Sequence, residues 1–172
     1  WYMIANSSPW DNLSFDPAGV QEVSRKLFAT LYNTYSFFAL YANVDGFDNS
    51  QPQTPIEKRP IIDRWAISLL NTLVKEVDEA LADYEPTKAA RAINDFVNND
   101  LSNWYVRLNR KRFWTGELTE DKLMAYQTLY TCLETVAKLM APISPFIADK
   151  LYNDLTSVSE ASESSVHLAL FP

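Results

Sequence analysis

The sequence predicts an all-α fold: a bundle of four long helices and one short one. Three observations carry that reading. Apolar residues recur at spacings of three and four over long stretches. Several of these stretches open on a capping residue followed by Pro. Only 3 of the 172 residues are Gly. All-β folds need many turns with positive φ, and a phosphate-cradling loop needs clustered Gly, so both are disfavoured. A composition of 47% hydrophobic and 22% charged residues is that of a globular chain, not a disordered one.

The elements follow in order. Residues 1–5 are apolar and read as the end of a helix that Asn6-Ser7-Ser8-Pro9 breaks. Their Trp-Tyr start suggests an excised or processed piece. Trp10 and Leu13 are expected to anchor an ordered loop. Asp16-Pro17 starts a long helix to about Tyr41, with Val20, Val23, Leu27, Leu31, Thr34, Phe38 and Tyr41 on one face. Asn43 and Gly46 stop it, and Pro52, Pro55 and Pro60 keep a linker over 43–60 extended.

Asp63 is the expected cap of the next helix, although Ile61 is an alternative start; it continues through Trp65, Leu69, Leu73 and Val77 to about Tyr84. Pro86 opens a third long helix, roughly 86–114, ended by Thr115-Gly116. Thr119-Glu120-Asp121 starts the fourth, with acids at its positive end. Ser144-Pro145 repeats the cap-plus-Pro start for a short helix through Leu151. Residues 156–165 read as a mobile Ser/Glu-rich loop, and Val166 to Phe171 as a strand seed or extended tail.

Charge sharpens the picture. Lys and Arg number 15 against 22 Asp and Glu, a net −7. Tight autonomous nucleic-acid binders are usually basic, so global charge argues mildly against that class without excluding a local patch. The one basic concentration is Arg107, Arg110, Lys111 and Arg112, at the end of the third helix. On a helical wheel Ala90, Ile93, Val97, Leu101, Trp104 and Leu108 span about 80° and form the expected core face. Phe96, Asn103, Arg107, Arg110 and Trp114 form an adjacent flank, and Arg112 points well away from it. Arg offers a rigid fork for phosphate or carboxylate, and an exposed Trp can stack on a base or fill a pocket. The flank therefore suits RNA phosphate or another domain. It also suits a bland reading, in which cations merely favour a helix C-terminus. Arg107 could equally pair with Asp100 or Asp63 inside the bundle.

Catalytic chemistry is not visible. His167, the only His, is expected to be a partly buried hydrogen-bonder, and Cys132, the only Cys, an inert buried side chain. A single Cys excludes an internal disulfide and a Cys-rich zinc site. Asp78-Glu79 and Asp83-Glu85 lack His partners and read as solvated. No apolar run approaches the roughly 20 residues of a membrane span, and no signal segment opens the chain.

Several stretches together carry a family resemblance. Asn99 to Arg107, followed by Arg110-Lys111-Arg112-Phe113-Trp114, resembles the third-helix motif of the anticodon-binding domain of bacterial-type isoleucyl-tRNA synthetases, within the class I synthetase group. Asn6 to Leu13, Asp63 to Ser68 and Leu139 to Phe146 match that family in the same order, and Ser165-Val166-His167-Leu168 resembles its closing motif. Ala169-Leu170 departs from it, where a polar residue usually stands. The resemblance implies a helical bundle that docks on the anticodon stem and loop of tRNA-Ile, with Arg107, Arg110, Trp114 and Asn103 as candidate tRNA contacts. It implies a cytoplasmic ligase using ATP with Mg and a structural zinc, neither held by this stretch, since the family's His-x-Gly-His-like and Lys-Met-Ser-Lys-Ser motifs are absent. On that reading residues 1–15 end a linker from the catalytic domain, 16–155 form the helical domain, and 156–172 begin a C-terminal extension. The expected partners are tRNA-Ile and the catalytic and C-terminal domains of the same enzyme, with no membrane. The alternative is an interdomain docking module with little RNA contact.

Overall fold

A computed structural model describes residues 1–157 and 163–172. Its elements are α1 (Tyr2–Asn6), α2 (Pro17–Val23), α3 (Ala29–Asp45), α4 (Ile61–Ala82), α5 (Pro86–Asp95), α6 (Arg107–Trp114), α7 (Glu120–Met140) and α8 (Pro145–Thr156). A π-helical segment, Ser24–Phe28, joins α2 to α3, and a second, Phe96–Val106, joins α5 to α6. A single 3₁₀ turn, Ile56–Lys58, precedes α4. The described residues contain no strand.

The starts follow from local chemistry. Asp16 accepts from the backbone N–H groups of Ala18 and Gly19 at 3.0 and 3.2 Å, and Pro17 occupies the first helical position. Thr119 accepts from the Lys122 N–H at 3.2 Å. Gly46 ends α3 at φ 65°, a left-handed conformation in which a Cβ would be strained. Asp63 is not a cap. The helix starts two residues earlier, at Ile61 after Pro60, which places Asp63 in the first turn with its side chain inward. Ser144 makes no side-chain cap bond either.

The bundle is built around α7. Tyr126, Leu129, Cys132, Leu133, Val136, Ala137, Leu139 and Met140 are buried on all sides of it, because α3, α4, α5, α6 and α8 all pack on it. Full burial of Cys132 pushes its thiol up to about 12, the inert state expected of it. Polar groups hold the linker 46–60 against α7. Gln127 accepts from the Thr54 N–H and donates to the Pro52 carbonyl. Buried Arg59 donates to the Thr54 carbonyl at 2.9 Å and to the Thr128 hydroxyl at 3.0 Å. At the end of α3, Asp45 takes an ion pair from buried Lys122 and a hydrogen bond from the Tyr126 hydroxyl, while Lys122 also donates to the Thr115 carbonyl at 2.6 Å.

These contacts polarise the bundle. The start of α4 and α7 and the ends of α3 and α6 share one end, and both chain ends lie at the other. There, Thr87 Oγ1 is 2.7 Å from the Ile4 carbonyl oxygen, and Arg91 donates to the Ala5 carbonyl. Asp149, at the start of α8, accepts from the Ser165 hydroxyl and the Val166 N–H at 2.7 and 3.0 Å. Residues 165–169 form a turn, neither strand nor extended, and His167 is exposed rather than partly buried. The loop expected at 156–165 falls largely on residues 158–162, which lie outside the described residues. Trp10, the expected anchor, is exposed, and Leu13 is half-buried; Val20 is also more exposed than its wheel position implies.

The core face of the third long helix differs from the wheel. Ala90, Ile93, Val97 and Leu101 are buried as expected. Trp104 and Leu108 are each 58% exposed, and Tyr105, Val106, Asn109 and Phe113 face inward instead. Phe96, placed on the flank, is buried. The cause is the π segment. Bonds from i to i+5 widen each turn, so a phase counted at 3.6 residues slips by one position beyond Leu101.

Two consequences are measurable. Trp104→Ala should change stability by no more than about 0.5 kcal/mol, whereas Phe113→Ala, which empties a fully buried site, should cost about 3–5 kcal/mol in a denaturant titration. The second concerns acid. Burial alone would raise the Asp45 carboxyl, but the bonds from Lys122 and Tyr126 outweigh it and hold it below the ordinary 3.8. A depressed folded value stabilises above the unfolded one and is lost as pH falls through it. The stability gap between the parent chain and Asp45→Asn should therefore be full near neutrality and close below about pH 4, as measured by denaturation at stepped pH.

Candidate nucleic-acid interface

The basic cluster divides into an inner and an outer part. Asp63 is fully buried in the first turn of α4, and Arg112 meets it with a two-pronged contact: Nη1 to Oδ1 at 2.8 Å and Nη2 to Oδ2 at 2.9 Å. The Tyr105 hydroxyl donates to the same Oδ1 at 2.7 Å. Asn109 accepts from Arg112 Nη1 at 2.9 Å and donates to the Tyr105 carbonyl at 2.7 Å. Arg112 reaches on to Asp121, its Nε to Oδ2 and its Nη2 to Oδ1, both at 2.9 Å. One guanidinium thus ties together α4, α6 and α7. Burial would lower its pKa, but the bonds to Asp63 and Asp121 dominate and hold it above its ordinary value. Burial, then the Asp63 charge, pushes the Tyr105 hydroxyl well up.

The outer part is the opposite arc of the same helix. Arg107, Arg110, Lys111, Asn103 and Trp114 are exposed, and none of them makes an ion pair or side-chain hydrogen bond among the described residues. Arg107 pairs with neither Asp63 nor Asp100; the internal pairing belongs to Arg112. Around the axis the order from Arg110 through Asn103, Trp114, Arg107 and Lys111 continues into Trp104 and Leu108, so the two exposed indoles and three free cations form one surface. The sequence brought Arg107, Arg110, Asn103 and Trp114 together correctly. It missed Trp104, because no pattern in single residues reports a π segment.

Next to Trp104 the surface dips into a groove between α4 and the π segment, lined by Ile61, Ile62, Trp65, Asp100, Trp104 and Leu108. Asp100 is half-buried there, without a side-chain hydrogen bond among the described residues; burial, and the nearby charge of Asp95, raise its carboxyl.

Residues 63–172 match the family "Anticodon-binding domain of tRNA ligase". The chain belongs to this family. The chain is 70% identical over its whole length to an isoleucine–tRNA ligase of Bacteroides thetaiotaomicron, covering 15% of that protein. It is 69% identical to one from Porphyromonas gingivalis, again over the whole chain and 15% of the relative, and 46% identical to one from Clostridium acetobutylicum, covering 16%. The domain therefore spans about a sixth of the relatives it matches. No described helix is long and apolar enough to cross a membrane.

Inner and outer cations should respond differently to removal. Arg112→Ala leaves Asp63 buried without its partner and should cost about 3–5 kcal/mol. Arg107→Ala and Arg110→Ala should stay within about 0.5 kcal/mol. Thermal or denaturant melting of the three variants checks both.

Proposed function

We propose that this domain belongs to an isoleucine–tRNA ligase and holds tRNA-Ile by its phosphates, with Arg107 and Arg110 as the principal contacts and Asn103 and Trp114 beside them. The supporting observation is position. The free cations are exposed at one end of the bundle, and no ion pair or side-chain hydrogen bond among the described residues occupies them. Arg is suited to the task, because its fork matches phosphate oxygens. Stem phosphates are continuous, whereas base edges in an A-form helix are hard to reach, so these two residues grip without reading sequence.

On this reading the chemistry is expected of other parts of the ligase. ATP-dependent attachment of isoleucine to its tRNA needs a nucleotide site, and the described residues offer neither a Gly-rich loop nor a cluster of three or more metal-ligating side chains. On this reading ATP, Mg and zinc belong to other parts of the ligase. A cytoplasmic location follows from the same reading.

A docking role has its own support. Phe146 is 90% exposed, with Leu168 and Leu170 also exposed, all at the end carrying the chain termini. That end suits contact with the catalytic and C-terminal domains, leaving the opposite end for RNA.

Binding of full-length enzyme to tRNA across a salt series separates the two roles. Arg107→Gln and Arg110→Gln should each weaken binding and reduce the slope of log K against log salt by about one unit. Lys88→Gln, at an exposed position of α5 near the opposite end, should leave the slope intact. Unchanged affinity and slope for both Arg variants would overturn the RNA assignment of this surface.

A further inference from the structure

The exposed cations of α6 keep their direction only while that short helix keeps its roll about its own axis. Its inward side is thin, with Asn109 and Phe113 as its buried residues. Phe113 meets Phe37 and Tyr126 edge-on, at ring-centroid distances of 5.2 and 5.1 Å. Apolar contact of this kind is non-directional. Asn109 bonds only back to Tyr105 on the preceding π segment and to Arg112. Among the described residues, the side-chain hydrogen bonds from α6 to α4 and α7 all come from Arg112. Two neighbouring edges of its flat guanidinium are filled. Asp63 takes the Nη1–Nη2 edge, and Asp121 takes the Nε–Nη2 edge. Carboxylates from two different helices fix the plane of the fork, where one alone would let it pivot.

The two carboxylates are not equivalent. Asp63 is fully buried, and the fold needs it. Asp121 lies in the first turn of α7 with its side chain 52% exposed. It shares its end of the bundle with Arg107 and Arg110. An exposed carboxylate there repels an approaching polyanion, so its charge does not itself serve RNA binding.

We propose that Asp121 is a positioning residue for RNA: through Arg112 it sets the roll of α6, and with it the direction in which Arg107 and Arg110 project. This rests on the phosphate-gripping reading above and adds the residue that aims the grip. Side chains of a helix reach about 5–6 Å from its axis, so a roll of about 30° displaces them by about 3 Å. A charge-assisted hydrogen bond to phosphate does not survive such a displacement.

The test measures tRNA binding by the full-length ligase across a salt series for Asp121→Ala and Asp121→Asn, with melting of each. Charge and position predict opposite signs. If only charge mattered, removing a carboxylate would strengthen binding to a polyanion. Lost positioning should weaken it by about five-fold or more, with melting close to that of the parent. Asp121→Glu keeps a carboxylate for Arg112 and should recover most of the loss. In enzyme already carrying Arg107→Gln and Arg110→Gln, Asp121→Ala should weaken binding no further, because the groups it aims are gone. A general contribution to stability would not show that dependence.

Unchanged or stronger binding by both Asp121→Ala and Asp121→Asn overturns the proposal. So does an equal loss in the background lacking both Arg side chains. A fall in melting that tracks the loss of affinity through all three Asp121 variants assigns Asp121 to stability and overturns it too. Arg107→Gln and Arg110→Gln alone give the separate readout. If they lower affinity and salt slope while the Asp121 variants bind as well as the parent, phosphate gripping stands and the positioning role falls. If the Arg variants have no effect, both readings fall.

Discussion

The meeting of α4, α6 and α7 at one end of this bundle depends on the buried carboxylate of Asp63. A charge removed from water must be paired and fully hydrogen-bonded, or it destabilises the fold. Tyr105 and Arg112 supply that pairing, and Arg112 in turn recruits Asn109 and Asp121. The requirement propagates along the chain. Tyr105, Asn109 and Arg112 sit at spacings of four and three and must face α4 together. With Ala90, Ile93, Val97 and Leu101 buried before them, an unbroken 3.6-residue phase would instead send Trp104 and Leu108 inward. The π segment supplies the missing residue of phase, so the network and the widened helix imply one another.

The same constraint sorts the cations. Arg59, Arg112 and Lys122 all have their donors engaged inside the fold. Arg107, Arg110 and Lys111 are displaced to the outer arc by the same turn of the helix that brings Arg112 inward. An acidic chain with a net −7 therefore still presents a local cationic face. The negative charge is spread elsewhere, on the exposed carboxylates of Glu76, Asp78 and Glu79 on α4 and of Asp83 just after it, among others. Such a distribution favours one orientation of an approaching polyanion over others.

Much of this architecture was legible in the sequence, for reasons that are local. Asp16-Pro17, Pro86 and Thr119 announce helix starts through side-chain capping and fixed φ, and Gly46 announces a stop. Those signals need no tertiary information. The roles of Asp63 and Trp104 do need it. An acid near a helix start is ordinarily a cap or a favourable dipole partner, and only its three-dimensional neighbours reveal it as buried. Trp104 was assigned to the core by a wheel that assumes uniform winding. The motif that carries the family resemblance was recognisable as a string, yet its most constrained members, Tyr105, Arg112 and Phe113, prove to be internal. The exposed quartet of Asn103, Arg107, Arg110 and Trp114 was correctly grouped because most of it lies on α6 itself, beyond the change in winding.

The cationic face sits at one tip of a bundle whose long helices run from end to end, and that length acts as a lever arm for any tilt of the body. The 22 residues of α4 alone span about 33 Å at the helical rise. A tilt of roughly 5° about one end would then sweep the far end by about 3 Å, comparable to the length of a hydrogen bond. Small tilts of the body are thereby magnified at its tip. Rigidity along the shaft, secured by the tightly packed α7, is what lets such a displacement arrive undiminished.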